Sequence, residues 1–206
     1  IPYYEIVAKH QYVLEFSTRG YLTQNNLDGY AGYNKKPWSV ISVTPEWAVK
    51  LIVHNDDATR NAFMITLGHE LAHKEREVFI FKYGIRYCKL INNLNEIRAD
   101  FRAAELMMDS SRQALIDSCQ YKKDFKEKEF MQEVKGNPFH PTWEKRLEYA
   151  RNYDFGAELI RRVAKDLHYN QKCFLERIVI DRIVKDYESQ YVTLKSLTPT
   201  DKGDTN

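Results

Sequence analysis

The sequence predicts an α+β fold that is mostly helical, with a small antiparallel sheet ahead of a long central helix. Apolar residues recur at helical spacing in several segments after residue 45. Before that point, turn residues divide residues 21–43 into short aromatic and β-branched segments. A chain of 206 residues with 43% apolar and 13% aromatic residues has a globular composition and can bury a proper core.

The predicted sheet lies in the N-terminal quarter of the chain. Residues 2–18 are interpreted as a helix, because apolar residues there approximate one helical face. Turn pairs then separate short aromatic segments, and residues 38–43 form a β-rich run. We therefore expect short antiparallel strands between residues 21 and 43, followed by a short helix over residues 46–54.

Most of the chain after this point is predicted to be helical. The expected helices cover residues 57–77, 92–109, 110–135 and 142–153, with one or two more between 156 and 192. Asn55, Asp56 or Asp57 is expected to cap the first of them. Lys and Glu alternate over residues 110–135, which is typical of a solvated helix with local ion pairs. We assign residues 1–170 to a single domain and residues 171–206 to a C-terminal helix and polar tail.

Charge and hydropathy argue against several classes of protein. The net charge of +2 arises from 31 basic and 29 acidic residues, so no global field indicates a nucleic-acid partner. No apolar run approaches the roughly 20 residues of a membrane span, and no hydrophobic signal segment opens the chain. The sequence therefore predicts a soluble protein without a membrane span.

Cysteine usage bears on the compartment. Cys88, Cys119 and Cys173 are odd in number and widely spaced, and they fit no metal spacing or disulfide framework. This pattern favours a reducing compartment, so we expect a cytoplasmic protein. An exported protein is the alternative if an N-terminal signal or anchor has been removed.

A His-Glu-x-x-His motif lies within the predicted helix over residues 57–77. His69 and His73 are four residues apart and project from one helical face, so their imidazoles can share one ion. Glu70 can reach the water that such an ion activates. The motif predicts a catalytic site with one Zn²⁺ per chain and Glu70 as the general base. The alternative is a surface helix whose histidines bind nothing.

The predicted helix over residues 92–109 offers a third metal ligand. Plotted at 100° per residue, Glu96 and Asp100 fall within its apolar arc, whereas Arg98 and Arg102 lie on the predicted solvent side. A buried carboxylate is unfavourable by several kcal/mol unless a cation or strong donors meet it. We assign Glu96 as the third zinc ligand and Asp100 as the acceptor for the free N–H of a ligating histidine. In the alternative interpretation, both acids pair with buried Arg or Lys side chains.

Small residues predict that these two helices approach each other closely. Ala62 and Thr66 continue the stripe of the two histidines on the first helix. Ala99 and Ala103 flank the carboxylates in the same way on the second. The helices can therefore pack with their ligands facing each other.

The motifs resemble those of two groups of zinc peptidases. The segments His69–His73, Glu96–Asp100 and His140–Arg146 are similar to the three-part pattern of the HtpX-like and CAAX-processing peptidases. The run from Glu96 to Met108 is equally similar to the ImmA/IrrE-type peptidases. Both groups are zincins with a glutamate as third ligand, the gluzincins, and the resemblance covers residues from about 40 to 150. The short gap between the first two motifs favours the ImmA/IrrE-type layout, and the His-Pro-Thr segment favours the HtpX-like one.

The resemblance implies that residues 1–170 form a zincin-like metalloendopeptidase domain that cleaves a protein or peptide substrate. It places His140 and Arg146 near the active site, His140 as a donor that stabilises the transition state and Arg146 as a supporting residue. Without the resemblance, His140 would be an ordinary loop histidine and Arg146 a surface charge. It also implies that the strand over residues 38–43 binds an extended substrate, and a plain structural strand is the alternative.

A different function remains compatible with the same motifs. The chain could be a zincin-fold binding or regulatory module that acts on one dedicated, repressor-like protein partner with little general proteolysis. The intact Glu70 argues against a module that keeps its metal for structure alone, because a scaffold needs no carboxylate directed at the metal.

Overall fold

The computed structural model describes residues 12–16, 39–43, 45–75, 77–129 and 140–197, together with Glu5, Ala8 and Lys9. In this part of the chain, strands β1 (Tyr12–Phe16) and β2 (Ser39–Val43) precede seven α-helices. The helices are α1 (Pro45–Val53), α2 (Asp57–Ala72), α3 (Cys88–Met107), α4 (Arg112–Glu129), α5 (Trp143–Asn152), α6 (Ala157–Asp166) and α7 (Phe174–Tyr187). The predicted mostly helical architecture is therefore confirmed.

The two described strands pair in parallel, with Tyr12 opposite Ser39 and Phe16 opposite Val43. The described pair before the long helix is thus parallel and not antiparallel, and the predicted helix over residues 2–18 is wrong at β1. The antiparallel strands were expected between residues 21 and 43, of which the structure describes only 39–43. A parallel pair requires a crossover connection of a dozen or more residues, and the chain between β1 and β2 is long enough to supply one. The predicted turns in that connection and the predicted tail over residues 198–206 lie outside the described residues.

Helix α3 is the centre of the larger hydrophobic core. Every residue from Asn93 to Phe101 is buried, because α2, α4, α6 and α7 all pack around this helix. The expectation that Arg98 lies on a solvent face is therefore wrong. An apolar arc on a helical wheel identifies one buried face, but it does not reveal that further helices cover the opposite face.

The smaller core lies between α2 and the N-terminal elements. Ile41 and Val43 of β2 and Trp47 of α1 are fully buried against α2, where the rings of Trp47 and Phe63 lie 5.3 Å apart. The α2 residues of this core are Ala62, Phe63, Leu67 and Leu71, so the contact continues to the C-terminal part of the helix.

Helices α2 and α3 approach closely at Gly68. A Cβ atom at this position would lie 3.0 Å from both Cα and Cβ of Ala103 and 2.7 Å from Cγ of Met107. The predicted close approach is confirmed at Ala103, and it explains why a glycine stands inside a helix that it would otherwise destabilise.

One further expectation is corrected by the packing. The predicted solvated helix has one buried face, with Leu115, Cys119 and Lys122 of α4 all enclosed. Helix α7 packs into the same core as α3, and the Tyr187 hydroxyl donates a hydrogen bond of 2.6 Å to Asn95 Oδ1. None of the helices in the described ranges is long and apolar enough to cross a membrane.

Candidate metal centre

The site lies where the C-terminal end of α2 meets the middle of α3. Asp56 caps the start of α2, since its side chain accepts a hydrogen bond of 2.7 Å from the Thr59 amide, as predicted. The helix ends at Ala72, five residues before the predicted end, and His73 occupies its C-cap. The Arg98 guanidinium donates a 2.7 Å hydrogen bond to the Ala72 carbonyl at the end of the helix, which also accepts a 3.0 Å hydrogen bond from the Glu75 amide.

The structure brings together the three side chains predicted to bind a metal. His69 Nε2 and His73 Nε2 are 2.9 Å apart. Glu96 Oε2 lies 3.4 Å from His69 Nε2, and Glu96 Oε1 lies 3.6 Å from His73 Nε2. One nitrogen or oxygen atom from each of these residues therefore faces the same point, and together they could hold a metal ion.

A carboxylate fixes the orientation of each histidine ring. His69 Nδ1 lies 2.8 Å from Asp100 Oδ1, and His73 Nδ1 lies 2.5 Å from Glu77 Oε1. An ionised carboxylate only accepts hydrogen bonds, so each ring donates from a protonated Nδ1. When both rings are neutral, the lone pairs of both Nε2 atoms are then directed at each other and at Glu96. Three electron-pair donors in this arrangement repel one another unless a positive charge lies between them.

Arg146 bridges the two buried carboxylates of α3. Its guanidinium donates to Glu96 Oε2 at 2.8 Å and to the two oxygens of Asp100 at 3.1 and 3.2 Å. The alternative in which a buried arginine meets both acids is thus part of the structure. The guanidinium contacts Glu96 through Oε2 only, however, and Glu96 Oε1 still faces His73 Nε2.

The surroundings of the carboxylates favour their ionised forms. Burial alone would raise the pKa of Glu96, but hydrogen bonds from His140 and His69 and the charges of His69 and Arg146 hold that pKa well below its usual range. Burial is likewise outweighed at Asp100, where the Arg146 charge and the His69 hydrogen bond lower the pKa. Both acids can therefore act as a ligand or as a hydrogen-bond acceptor at neutral pH.

Glu70 lies beside the ligands and is itself buried. Burial raises the pKa of its carboxyl group, while the charges of His69 and His73 partly oppose that shift. A carboxylate with a raised pKa is a better proton acceptor than one in water, as a general base requires. Lys122 of α4 is close enough to interact electrostatically with Glu70 and Asp100.

His140, at the entrance of the site, contacts Glu96. Its Nδ1 atom lies 3.1 Å from Glu96 Oε2, and 44% of its side-chain surface is exposed. It can therefore meet both the ligand and a molecule that enters from solvent.

Comparisons with known proteins add no relative. No family model, curated protein or solved structure matches this chain. The interpretation of the site therefore depends on its own geometry and on its motifs.

Sequence reasoning missed two residues of the site and one aromatic ring that contacts its cations. Glu77 stands four residues after His73, a spacing at which side chains on a helix can pair. This signal could have identified Glu77 as a partner of His73. Lys122 was assigned to a solvated surface because its neighbours in sequence are charged. Trp143 lies over both cations of the site, 4.7 Å from Lys122 Nζ and 4.5 Å from Arg146 Cζ.

Proposed function

We propose that the chain is a zinc-dependent metalloendopeptidase with a zincin-like α+β domain. In this proposal, one Zn²⁺ binds to His69, His73 and Glu96, and Glu70 is the general base. The observation that carries it is the convergence of three ligand atoms whose two imidazoles are each oriented by a carboxylate. The resemblance of the motifs to those of the gluzincins supports the same chemistry.

The donor set fits zinc in type and in spacing. Tetrahedral zinc with bonds of about 2.0 to 2.2 Å places its ligand atoms about 3.3 to 3.6 Å from one another. The three distances here are 2.9, 3.4 and 3.6 Å, which lie close to that range. Two imidazoles and one carboxylate are also a known ligand set of catalytic zinc, which keeps a fourth position open for water or substrate.

Each residue of the site has a distinct part in peptide hydrolysis. Zinc, when bound, polarises the scissile carbonyl and lowers the pKa of a water molecule toward about 7. Glu70 accepts a proton from the attacking water and later donates it to the leaving amine. His140, exposed beside Glu96, donates a hydrogen bond to the oxygen on which negative charge develops. Asp100 and Arg146 hold the ligands in place.

The substrate of this proposed enzyme is a protein or peptide, and β2 is the strand beside which an extended substrate would lie. We further propose that it acts in the cytoplasm, since its three cysteines are unpaired and two of them are buried.

Elemental analysis and casein cleavage together test the proposal. Purified protein should contain about one zinc per chain, and Glu96→Ala should lose most of it. Glu70→Gln should keep its zinc and lose at least about a hundredfold in turnover. Glu144→Gln, an exposed glutamate on α5, is the matched control and should change neither quantity.

Three outcomes would redirect the interpretation. Wild-type protein without zinc after reconstitution would refute the metal site. Full activity of Glu70→Gln would refute the role of the general base. A zinc-loaded protein that leaves casein intact would instead favour a module dedicated to one protein partner.

A further inference from the structure

Glu77 is the carboxylate that contacts the second histidine of the site. It follows the end of α2, and its Oε1 atom lies 2.5 Å from His73 Nδ1. Because the carboxylate only accepts, this hydrogen bond fixes the ring with Nε2 toward Glu96. Asp100 contacts the other imidazole, so Glu77 is what restrains the rotation of His73.

Arg98 connects this segment to α3. Its side chain is 2% exposed, and its guanidinium donates to the Ala72 carbonyl at 2.7 Å and to Glu75 Oε2 at 3.3 Å. The same guanidinium lies 3.8 Å from Glu77 Oε1. A buried guanidinium with acceptors on one short segment holds that segment against its own helix.

Residues at three alternate positions of α3 thus act on the three ligands. Glu96 is itself a ligand, and Asp100 contacts His69 directly. Arg98, between them in sequence, reaches His73 through Glu77. The side chains of one helix therefore set the orientation of all three ligands, directly or through one intermediate carboxylate.

We propose that Glu77, held by Arg98, is a positioning residue that orients His73 for metal binding, an inference that rests on the proposed zinc site. In metalloproteins, a carboxylate on the second nitrogen of a histidine ligand fixes the tautomer and makes the ring a stronger donor, and its loss typically weakens metal binding about 10- to 100-fold. Glu77 and Asp100 then serve the two histidines in the same way.

Glu77→Gln separates this role from a purely structural one. Glu77 has 33% of its side-chain surface exposed, and its replacement leaves the Arg98 bonds to Ala72 and Glu75 in place. Glu105→Gln is the matched control, because Glu105 is similarly exposed at 39% and pairs with Arg102 on the same helix face as Arg98.

The first measurement is zinc affinity by competition with a chelator, alongside the visible spectrum of the cobalt(II)-substituted protein. Glu77→Gln should bind zinc about 10- to 100-fold more weakly than wild type and should show an altered cobalt spectrum. Glu105→Gln should match wild type in both, and the two metal-free variants should unfold at the same temperature. Equal zinc affinity and equal cobalt spectra in the two variants would overturn the inference.

A second variant tests the part assigned to Arg98. Arg98→Lys keeps the positive charge but cannot contact the helix end and Glu77 together. If Arg98 acts through Glu77, the losses of zinc affinity in Arg98→Lys and Glu77→Gln should not add in the double variant. Fully additive losses of zinc affinity would show that Arg98 does not act through Glu77, and the positioning role would then belong to Glu77 alone.

The same data distinguish this inference from the proposed function. Absence of zinc from wild-type protein would overturn both. Zinc binding in wild type with an unchanged Glu77→Gln would overturn the positioning role alone. A weakened Glu77→Gln in a protein that cleaves no casein would support the positioning role and refute general proteolysis.

Discussion

Arg146 is the cation on which the two buried carboxylates of α3 depend, and Arg146→Met tests this dependence. The guanidinium makes hydrogen bonds of 2.8 to 3.2 Å with Glu96 and Asp100, and all three side chains are buried. Removing one partner of a buried ion pair leaves an uncompensated charge, which typically lowers the free energy of unfolding by about 3 to 5 kcal/mol. Because one arginine pairs with two acids, we expect Arg146→Met to lose free energy of unfolding within this range, measured at neutral pH in chelator-treated protein.

The assay is thermal unfolding followed by circular dichroism. For a chain of this size, a loss of 1 kcal/mol lowers the melting temperature by about 2 to 4 °C, so the expected fall is about 6 to 20 °C. Arg151→Met is the matched control, because Arg151 is exposed on the same helix and contacts Gln120 at 3.4 Å. Its loss should stay within about 0.5 kcal/mol.

The pH dependence of the stability lost in Arg146→Met gives a sharper test. Arg146 helps to lower the pKa values of Glu96 and Asp100 below their ordinary values of 4.5 and 3.8. The stability that this pairing contributes is therefore present above those values and is lost as the pH falls. The difference in free energy of unfolding between wild type and Arg146→Met should therefore narrow as the pH falls below 4.5. Added zinc should narrow that difference at pH 7 by supplying positive charge. The reasoning would be refuted if Arg146→Met lost no more stability than Arg151→Met. It would also be refuted if the difference in stability between wild type and Arg146→Met widened in acid.

Four further predictions concern the same helices. Asp100→Asn should weaken zinc binding about 10- to 100-fold in chelator competition, because an amide can present an N–H to His69 where the carboxylate only accepts. Burial opposes a charged His69, but Asp100 and Glu96 raise its pKa to about 9, so zinc must displace a proton and its apparent affinity should fall about tenfold per pH unit below that value. In chelator-treated protein the stability from His69 should be complete below pH 6.5 and disappear as the pH rises through about 9, and a flat profile would contradict this. Gly68→Ala should lower the free energy of unfolding, measured in urea, by about 1 to 3 kcal/mol, because the new Cβ would meet the Ala103 backbone. Increased stability would show that α3 can shift to make room for the methyl group.

The residues predicted as ligands are those for which local information suffices. The spacing of His69 and His73 places them on one face of any helix that contains them. Glu96 and Asp100 were identifiable because an acid inside an apolar arc requires a cation or strong donors, whatever surrounds the helix. These inferences depend on the period of a helix and on the free energy of a buried charge, and both can be read from a sequence.

The remaining features depend on what surrounds each element. Arg98 was placed on a solvent face because a helical wheel does not show how many neighbours a helix has, and α3 has neighbours on nearly every side. Residues 12–16 were predicted as part of a helix because their apolar residues approximate one helical face, whereas they form β1 and pair in parallel with β2, a partner that local spacing does not reveal. Glu77 was missed although it stands four residues after His73, a spacing at which side chains can pair, and it lies beyond the end of the helix at Ala72.

The sequence left two explanations for the buried acids, an arginine partner or a metal, and the structure shows why the first does not replace the second. Arg146 occupies Glu96 Oε2 and both oxygens of Asp100, whereas Glu96 Oε1 faces His73 on the other side of the carboxylate. A proton can also supply positive charge here, and the raised pKa of His69 shows that it would. A proton, however, joins only two of the three ligand atoms, while a divalent cation can contact all three at once. Competition between a proton and the proposed zinc ion at these atoms is therefore the property that would identify the site in solution.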